Sequence, residues 1–191
     1  MRAGWVTTVG ALAMAIVAVG ASGARAQVEP PPPPAAVCAA APLPCVEARR
    51  SKLKLDEARR RLTFKWSARD VVDIRDLSNP VVARSGYDLC VYDASAVLVM
   101  ATGVLPGEVC NGRPCWRARP WGYQYRDASA QSFGLTKISL KAAAGRTDKI
   151  LVSGEGDLLP LPATAPTAPL TVQVVRSDDP TMCWTATTSP L

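Results

Sequence analysis

The chain of 191 residues contains no histidine and only two phenylalanines. The first absence removes a large block of chemistry. Without an imidazole there is no serine–histidine–aspartate triad, no cysteine–histidine dyad, no histidine-ligated zinc and no usual general base. The second absence moves the core onto Val, Leu, Ile, Trp and Tyr, and a hydrophobic content of 48% supplies enough of them for one domain. No C-x-x-C pair is present, so neither a metal knuckle nor any other metal site is expected. Gly154-x-Gly156 lacks the third glycine and the following helix of a phosphate loop, and no cofactor is expected. Concentrated charge is missing as well. Apart from Arg49-Arg50 and Arg59-Arg60-Arg61 the basic residues are scattered along the chain, where they read as solvated turns and loop ends. The net charge of +6 is mild, and no nucleic-acid partner is expected.

What is there begins with an export signal. Arg2 precedes an uncharged stretch of 21 residues, 4–24, and Ala24-Arg25-Ala26 forms a small-x-small cleavage site. The stretch approaches the roughly 20 residues of a membrane span. Its Ala, Gly, Val and Thr content and the site directly after it favour cleavage, leaving no transmembrane segment. Cys38 lies behind a proline run, the wrong place for a lipidated first residue, and no Arg-Arg pair precedes the apolar stretch. Residues 1–26 are therefore expected to be a cleaved signal peptide and the mature protein to be secreted or periplasmic. Loss of Arg2 and Arg25 lowers the net charge from +6 to +4.

Residues 27–44 are rich in Pro and Ala, with an unbroken proline run at 30–34. Such runs form extended, internally unbonded helices, so this segment reads as a stiff spacer. From Ser51 onward the pattern alternates with period two. Leu53 and Leu55 interleave with Lys52, Lys54 and Asp56; Leu62, Phe64 and Trp66 interleave with Thr63 and Lys65. Further strands are expected at 87–93, 96–104, 115–119, 122–127, 136–141, 149–153, 170–176 and 182–187, punctuated by Asn79-Pro80, Ser85-Gly86, Pro106-Gly107, Asn111-Gly112 and Gly145. Four prolines in 158–169 make that stretch an extended crossover or edge segment. Many short strands without a convincing amphipathic helix predict an all-β fold: a single antiparallel β-sandwich or Greek-key barrel of about eight to ten strands spanning 45–191, stapled by disulfides.

Six cysteines in an exported chain read as three disulfides. Sequence proximity favours Cys38–Cys45 and Cys110–Cys115, the latter around an Asn-Gly turn, which leaves Cys90–Cys183 as a long bridge. In the chain-entropy picture each short loop is worth about 2–2.5 kcal/mol and the long closure about 4.7 kcal/mol. Cys90→Ala should then cost more stability than Cys110→Ala.

Two residue sets carry candidate function. Carboxylates are the remaining route to an enzyme: Asp178-Asp179, Glu155 with Asp157, and Asp70 with Asp73. A glycosidase needs two carboxyls about 5–9.5 Å apart across a cleft, whereas adjacent acids in a Ser-Asp-Asp-Pro turn point apart and cap the loop. Glu155 and Asp157 are too few for calcium. No catalytic residue is assigned, and a carboxylate-based hydrolase stands only as a rival. The second set is aromatic. Trp116, Trp121, Tyr123 and Tyr125 interleave with Arg117, Arg119 and Arg126. Trp121, Tyr123 and Tyr125 share strand parity and would form a platform for sugar rings or protein side chains, with Arg117 and Arg119 as donors. Burial of the same rings in a core short of phenylalanine is the favoured reading over that platform, and Trp66 and Trp184 are assigned to the core, Trp184 beside the Cys183 disulfide. Arg113 in the Cys110–Cys115 loop suggests protease bait, but Pro114 directly after it spoils the mimicry.

Cys38…Pro42-Leu43…Cys45, Ser51-Lys52-Leu53-Lys54-Leu55, Leu62…Lys65-Trp66-Ser67, Tyr87-x-Leu89-Cys90-Val91-Tyr92-Asp93, Cys110-x-Gly112-x-Pro114-Cys115-Trp116, Tyr123-x-Tyr125-x-Asp127, Gly154-x-Gly156 and Cys183-Trp184 together carry a resemblance. The chain from Cys38 to Thr187 resembles an uncharacterised all-β domain of bacterial exported proteins. That resemblance implies an exported accessory domain and brings no active or binding residue with it. The expectation is a non-catalytic binding or structural domain at the cell envelope, whose partner is a glycan or an envelope protein. A carbohydrate-binding module using the aromatic platform is the first alternative.

Overall fold

Alternating burial is clearest in the strand Arg61–Arg69, where Leu62, Phe64, Trp66 and Ala68 are buried and the residues between them face outward. In the computed structural model, which describes residues 37–69, 71–82, 84–142, 145 and 147–189, the same pattern repeats through two sheets. The expected signal peptide and spacer residues 27–36 lie outside the described residues.

The strands in chain order are β1 (Val46–Glu47), β2 (Arg50–Asp56), β3 (Arg61–Arg69), β4 (Tyr87–Tyr92), β5 (Leu98–Val104), β6 (Val109–Cys110), β7 (Arg113–Pro114), β8 (Trp116–Arg119), β9 (Gly122–Arg126), β10 (Leu135–Lys141), β11 (Thr147–Glu155), β12 (Leu170–Arg176) and β13 (Cys183–Thr188). One sheet has the order β1-β13-β12-β4-β5 and the other β2-β3-β11-β10-β9-β8; β6 and β7 form a small separate hairpin. All pairings are antiparallel except the short β1–β13 contact. The fold is thus all-β and sandwich-like, with no closed barrel. Ten strands have four or more residues, and the proline-rich 158–169 segment crosses from one sheet to the other without joining either.

The inner faces meet in one core. Trp184, Tyr87, Trp116 and Tyr125 form a chain of rings through it, with centroids 6.3, 5.7 and 5.3 Å apart. Aromatics of this size supply buried area that two phenylalanines cannot. Three buried ring donors have carbonyl partners: Trp66 Nε1 donates to Thr185 O at 3.1 Å, Trp116 Nε1 to Leu105 O at 3.0 Å, and the Tyr87 hydroxyl to Leu77 O. The Trp66 bond also ties the two sheets together.

The disulfides correct the sequence reading at two of three positions. Cys110–Cys115 forms as expected, but Cys38 pairs with Cys90 and Cys45 with Cys183, in place of Cys38–Cys45 and Cys90–Cys183. Strand order is the reason. β12 lies between β4 and β13, with Cys90 opposite Gln173 and Cys183 opposite Val175, so the two cysteines are separated by two strand spacings, about 9.5 Å, and by a further two residues along the strands. A disulfide needs Cα atoms within about 7 Å. Cys183 also faces away from the inter-sheet core that Trp184 enters, so the two are back to back rather than packed together.

The bridging partners come from residues 37–45, which lie as a strap across the outer face of the five-stranded sheet. At β4 the Tyr92 hydroxyl donates to Ala39 O at 3.0 Å. Over β12 the buried Gln173 side chain accepts from Leu43 N at 3.1 Å and donates to Leu43 O at 2.7 Å, acting as a substitute backbone partner. At β13 the Cys45 bridge closes the crossing. Cys38, Cys90, Tyr92, Val175 and Cys183 form a second apolar cluster beneath the strap. This double burial explains why every residue of β4 is buried. Residues 37–44, read from the sequence as the end of the spacer, are thus packed against the sheet and tied to it.

Candidate functional site

The structure divides the expected aromatic platform between the core and the surface. Trp116 and Tyr125 are buried in the core, and Tyr123 is half-buried against it. Trp121 alone reaches the outer face of the six-stranded sheet, where Lys141 Nζ lies 4.5 Å from its ring centroid. Parity fails at Gly122, whose φ of +137° interrupts the alternation that would align Trp121 with Tyr123. A side chain there is excluded as well, because a Cβ would lie 2.2 Å from Leu140 O. Arg117 and Arg119 are exposed on the same outer face as Trp121.

The carboxylates are held in separate turns and pairs. Asp178 accepts from Ser85 Oγ at 2.6 Å and pairs with Arg176; burial alone would raise its pKa, and these bonds outweigh that and lower it. Asp179 accepts from Thr181 N and Oγ1 within its own turn. Glu155 pairs with Arg61 and Asp157 with Arg60. Hydrogen bonds from Arg75 lower the Asp73 pKa to about 2; Asp70 lies outside the described residues. The most perturbed acid is one that sequence reading did not single out. Asp88 on β4 is buried opposite Gly103, and desolvation raises its pKa to about 8.

Register brings together a feature that the scattered sequence positions conceal. Reading across the outer face of the six-stranded sheet, one row runs Arg50, Ser67, Lys149, Lys141, Gly122, Arg119. The next row runs Lys52, Lys65, Leu151, Ser139, Gln124, Arg117, and the third Lys54, Thr63, Ser153, Lys137, Arg126. Ten of these seventeen positions are basic and none is acidic. Nine of the ten basic side chains are exposed and Lys137 is half-buried. Taking those ten from the chain's 22 basic residues leaves 12 against 16 acidic residues elsewhere, so the face stands out from an otherwise acidic chain.

Lys52–Lys65, Lys141–Lys149 and Lys137–Arg126 are directly opposed like charges, an arrangement that destabilises a sheet. One row further along, the same sheet does the reverse and sets Arg61 between Asp56 and Glu155, with Arg61 Nε 3.1 Å from Glu155 Oε2. Among the described residues none of the ten basic side chains has an ion-pair partner.

In the middle of the face is an open depression of about 430 Å³ lined by Lys65, Lys137, Lys141, Lys149, Trp121 and Gln124. Gln124 is only 9% exposed, and its Oε1 accepts from Arg119 Nη2 at 3.1 Å. The lysine alternation is visible in each strand's sequence, but which strands lie side by side is not. No family model, curated protein or solved structure matches the chain.

Proposed function

We propose that this is a non-catalytic binding domain that works outside the cytoplasm, in the periplasm or beyond the cell, and engages the cell envelope through the outer face of its six-stranded sheet. One observation carries the reading: three adjacent register rows hold ten basic side chains and no acid, although like charges in direct opposition cost the sheet stability. An arrangement that works against folding makes sense when a partner of opposite charge neutralises it. Three disulfides fit an oxidising setting. Among the described residues no helix is long and apolar enough to cross a membrane. The test is a solid-phase screen of the exported, oxidised protein against acidic and neutral polysaccharides, wall polymers and anionic vesicles, with the reduced protein as control. Salt-sensitive binding to at least one anionic envelope material is expected. Binding to none of them overturns the proposal.

A further inference from the structure

Resting on that reading, we infer that the partner is an acidic polysaccharide, bound across the strands in the depression formed by Lys65, Lys137, Lys141 and Lys149, with Trp121 and Gln124 contacting the sugar itself. Charge complementarity sets the sign of the ligand. The four lysines stand on three adjacent strands, β3, β11 and β10, and their ammonium groups are point charges that can follow repeated carboxylates or sulfates. Neighbouring strands are about 4.8 Å apart, comparable with the step of an extended sugar chain, so a polymer running along the register rows meets a new strand with each residue.

The remaining lining separates a sugar polymer from other polyanions. Trp121 offers one half-buried ring at the depression's edge, and Lys141 stacked against it restricts the ring's freedom. A single fixed indole suits one sugar face; sequential stacking of nucleic-acid bases uses several rings along a groove, whereas Trp116 and Tyr125 are in the core and Tyr123 packs against it. Gln124 brings a nearly buried amide to the same place. Its oxygen is occupied by Arg119, while its Nε2 has no partner among the described residues. Ser139 and Ser67 add hydroxyls to the lining. Fixed hydrogen-bonding groups of this kind match sugar hydroxyls. A membrane surface would instead reward apolar side chains able to insert among headgroups; the only aliphatic side chain at the centre of this face, Leu151, is half-buried within the sheet.

The test measures binding of the exported, oxidised protein to polygalacturonate, to neutral dextran and to vesicles containing anionic lipid. Binding to polygalacturonate without binding to dextran is expected, weakening roughly tenfold or more between about 50 and about 200 mM salt as counterions compete. The double variant Lys141→Gln/Lys149→Gln should lose about tenfold or more in affinity. Arg84→Gln, exposed on the other sheet's side of the molecule, should keep wild-type binding. Trp121→Ala should lose several-fold at unchanged charge. The inference is overturned if vesicles bind and polygalacturonate does not, if the double variant or Trp121→Ala binds like wild type, or if Arg84→Gln loses as much as the double variant. Circular dichroism and melting of each variant separate lost binding from lost folding. Binding to anionic vesicles or another non-saccharide polyanion, with no binding to polygalacturonate or any other acidic polysaccharide, would sink this inference and leave the broader proposal standing.

Discussion

The two outer faces of the sandwich are treated in opposite ways. On the five-stranded sheet the outward side chains are largely apolar or uncharged, and residues 37–45 lie over them, held by two disulfides and the paired hydrogen bonds of Gln173. On the six-stranded sheet the outward side chains are mostly basic and exposed. The first face is organised for stability and the second at stability's expense. A sheet face needs a cover when its side chains are apolar, whereas a charged face is soluble without one. What a bare charged face does not need is a single sign of charge, and the proposed partner rests on that excess.

Breaking the strap should have the largest effect. Closing loops of 138 and 5 residues is worth about 5 and about 2 kcal/mol respectively in the chain-entropy picture. Cys45→Ser/Cys183→Ser should therefore lose roughly 5 kcal/mol against roughly 2 kcal/mol for Cys110→Ser/Cys115→Ser, read by urea unfolding without reductant. Equal losses would mean that the strap is no more than an ornament on the sheet.

Gln173→Ala comes next. It leaves the backbone N–H and C=O of Leu43 without their partner and should cost about 1–3 kcal/mol. Faster hydrogen exchange at the Leu43 amide would locate the damage in the strap, and an unchanged exchange rate would argue against it.

The pH dependence adds a smaller distinction. Asp88 has its pKa raised to about 8 in the folded protein against an ordinary value of 3.8. The folded state then holds a proton that the unfolded state has released, so this group's contribution to stability declines as pH climbs from about 4 to about 8. Asp73, lowered to about 2, acts in the opposite sense, and its contribution fades only as pH falls below about 4. Asp88→Asn should flatten the decline above pH 4 and leave the acid limb in place, as measured by melting temperature across pH. A wild-type decline that persists in the variant would assign it to other groups.

The smallest expected effect is the most diagnostic for the basic face. Lys65→Glu converts the Lys52–Lys65 opposition into an attractive pair and should raise stability by a few tenths of a kcal/mol. The same change should weaken polyanion binding. A variant that is both more stable and less able to bind is the signature of a face kept basic for its partner; loss of stability would contradict that account.

The strands were largely legible along the chain. Residues 170–176 were expected as a strand and β12 has those bounds; β4, β5, β8, β9, β10 and β13 agree to within one or two residues, and β11 extends two residues beyond its expected segment at each end. Period-two alternation and Gly or Pro punctuation are local signals, and sheet formation preserved them. Trp66 and Trp184 in the core were legible for the same reason. The aromatic platform was not, because one glycine at positive φ sent Trp121 to the opposite face from Tyr123. Cys38–Cys45 was misread because closeness in sequence stood in for closeness in space. An extended segment containing Pro42 and Pro44 carries its two cysteines to different strands.

Alternation along each strand was enough to say that Lys52, Lys65, Lys137, Lys141 and Lys149 would face away from the core, since the side-chain period is a local property of the backbone. That all five would face the same way on one sheet, in neighbouring rows with no acid among them, depended on strand order and register. Those are settled by contacts between segments tens of residues apart, such as β3 with β11. The kind of side chain on each face could be read one strand at a time, but the field those side chains create together exists only after the strands are laid side by side.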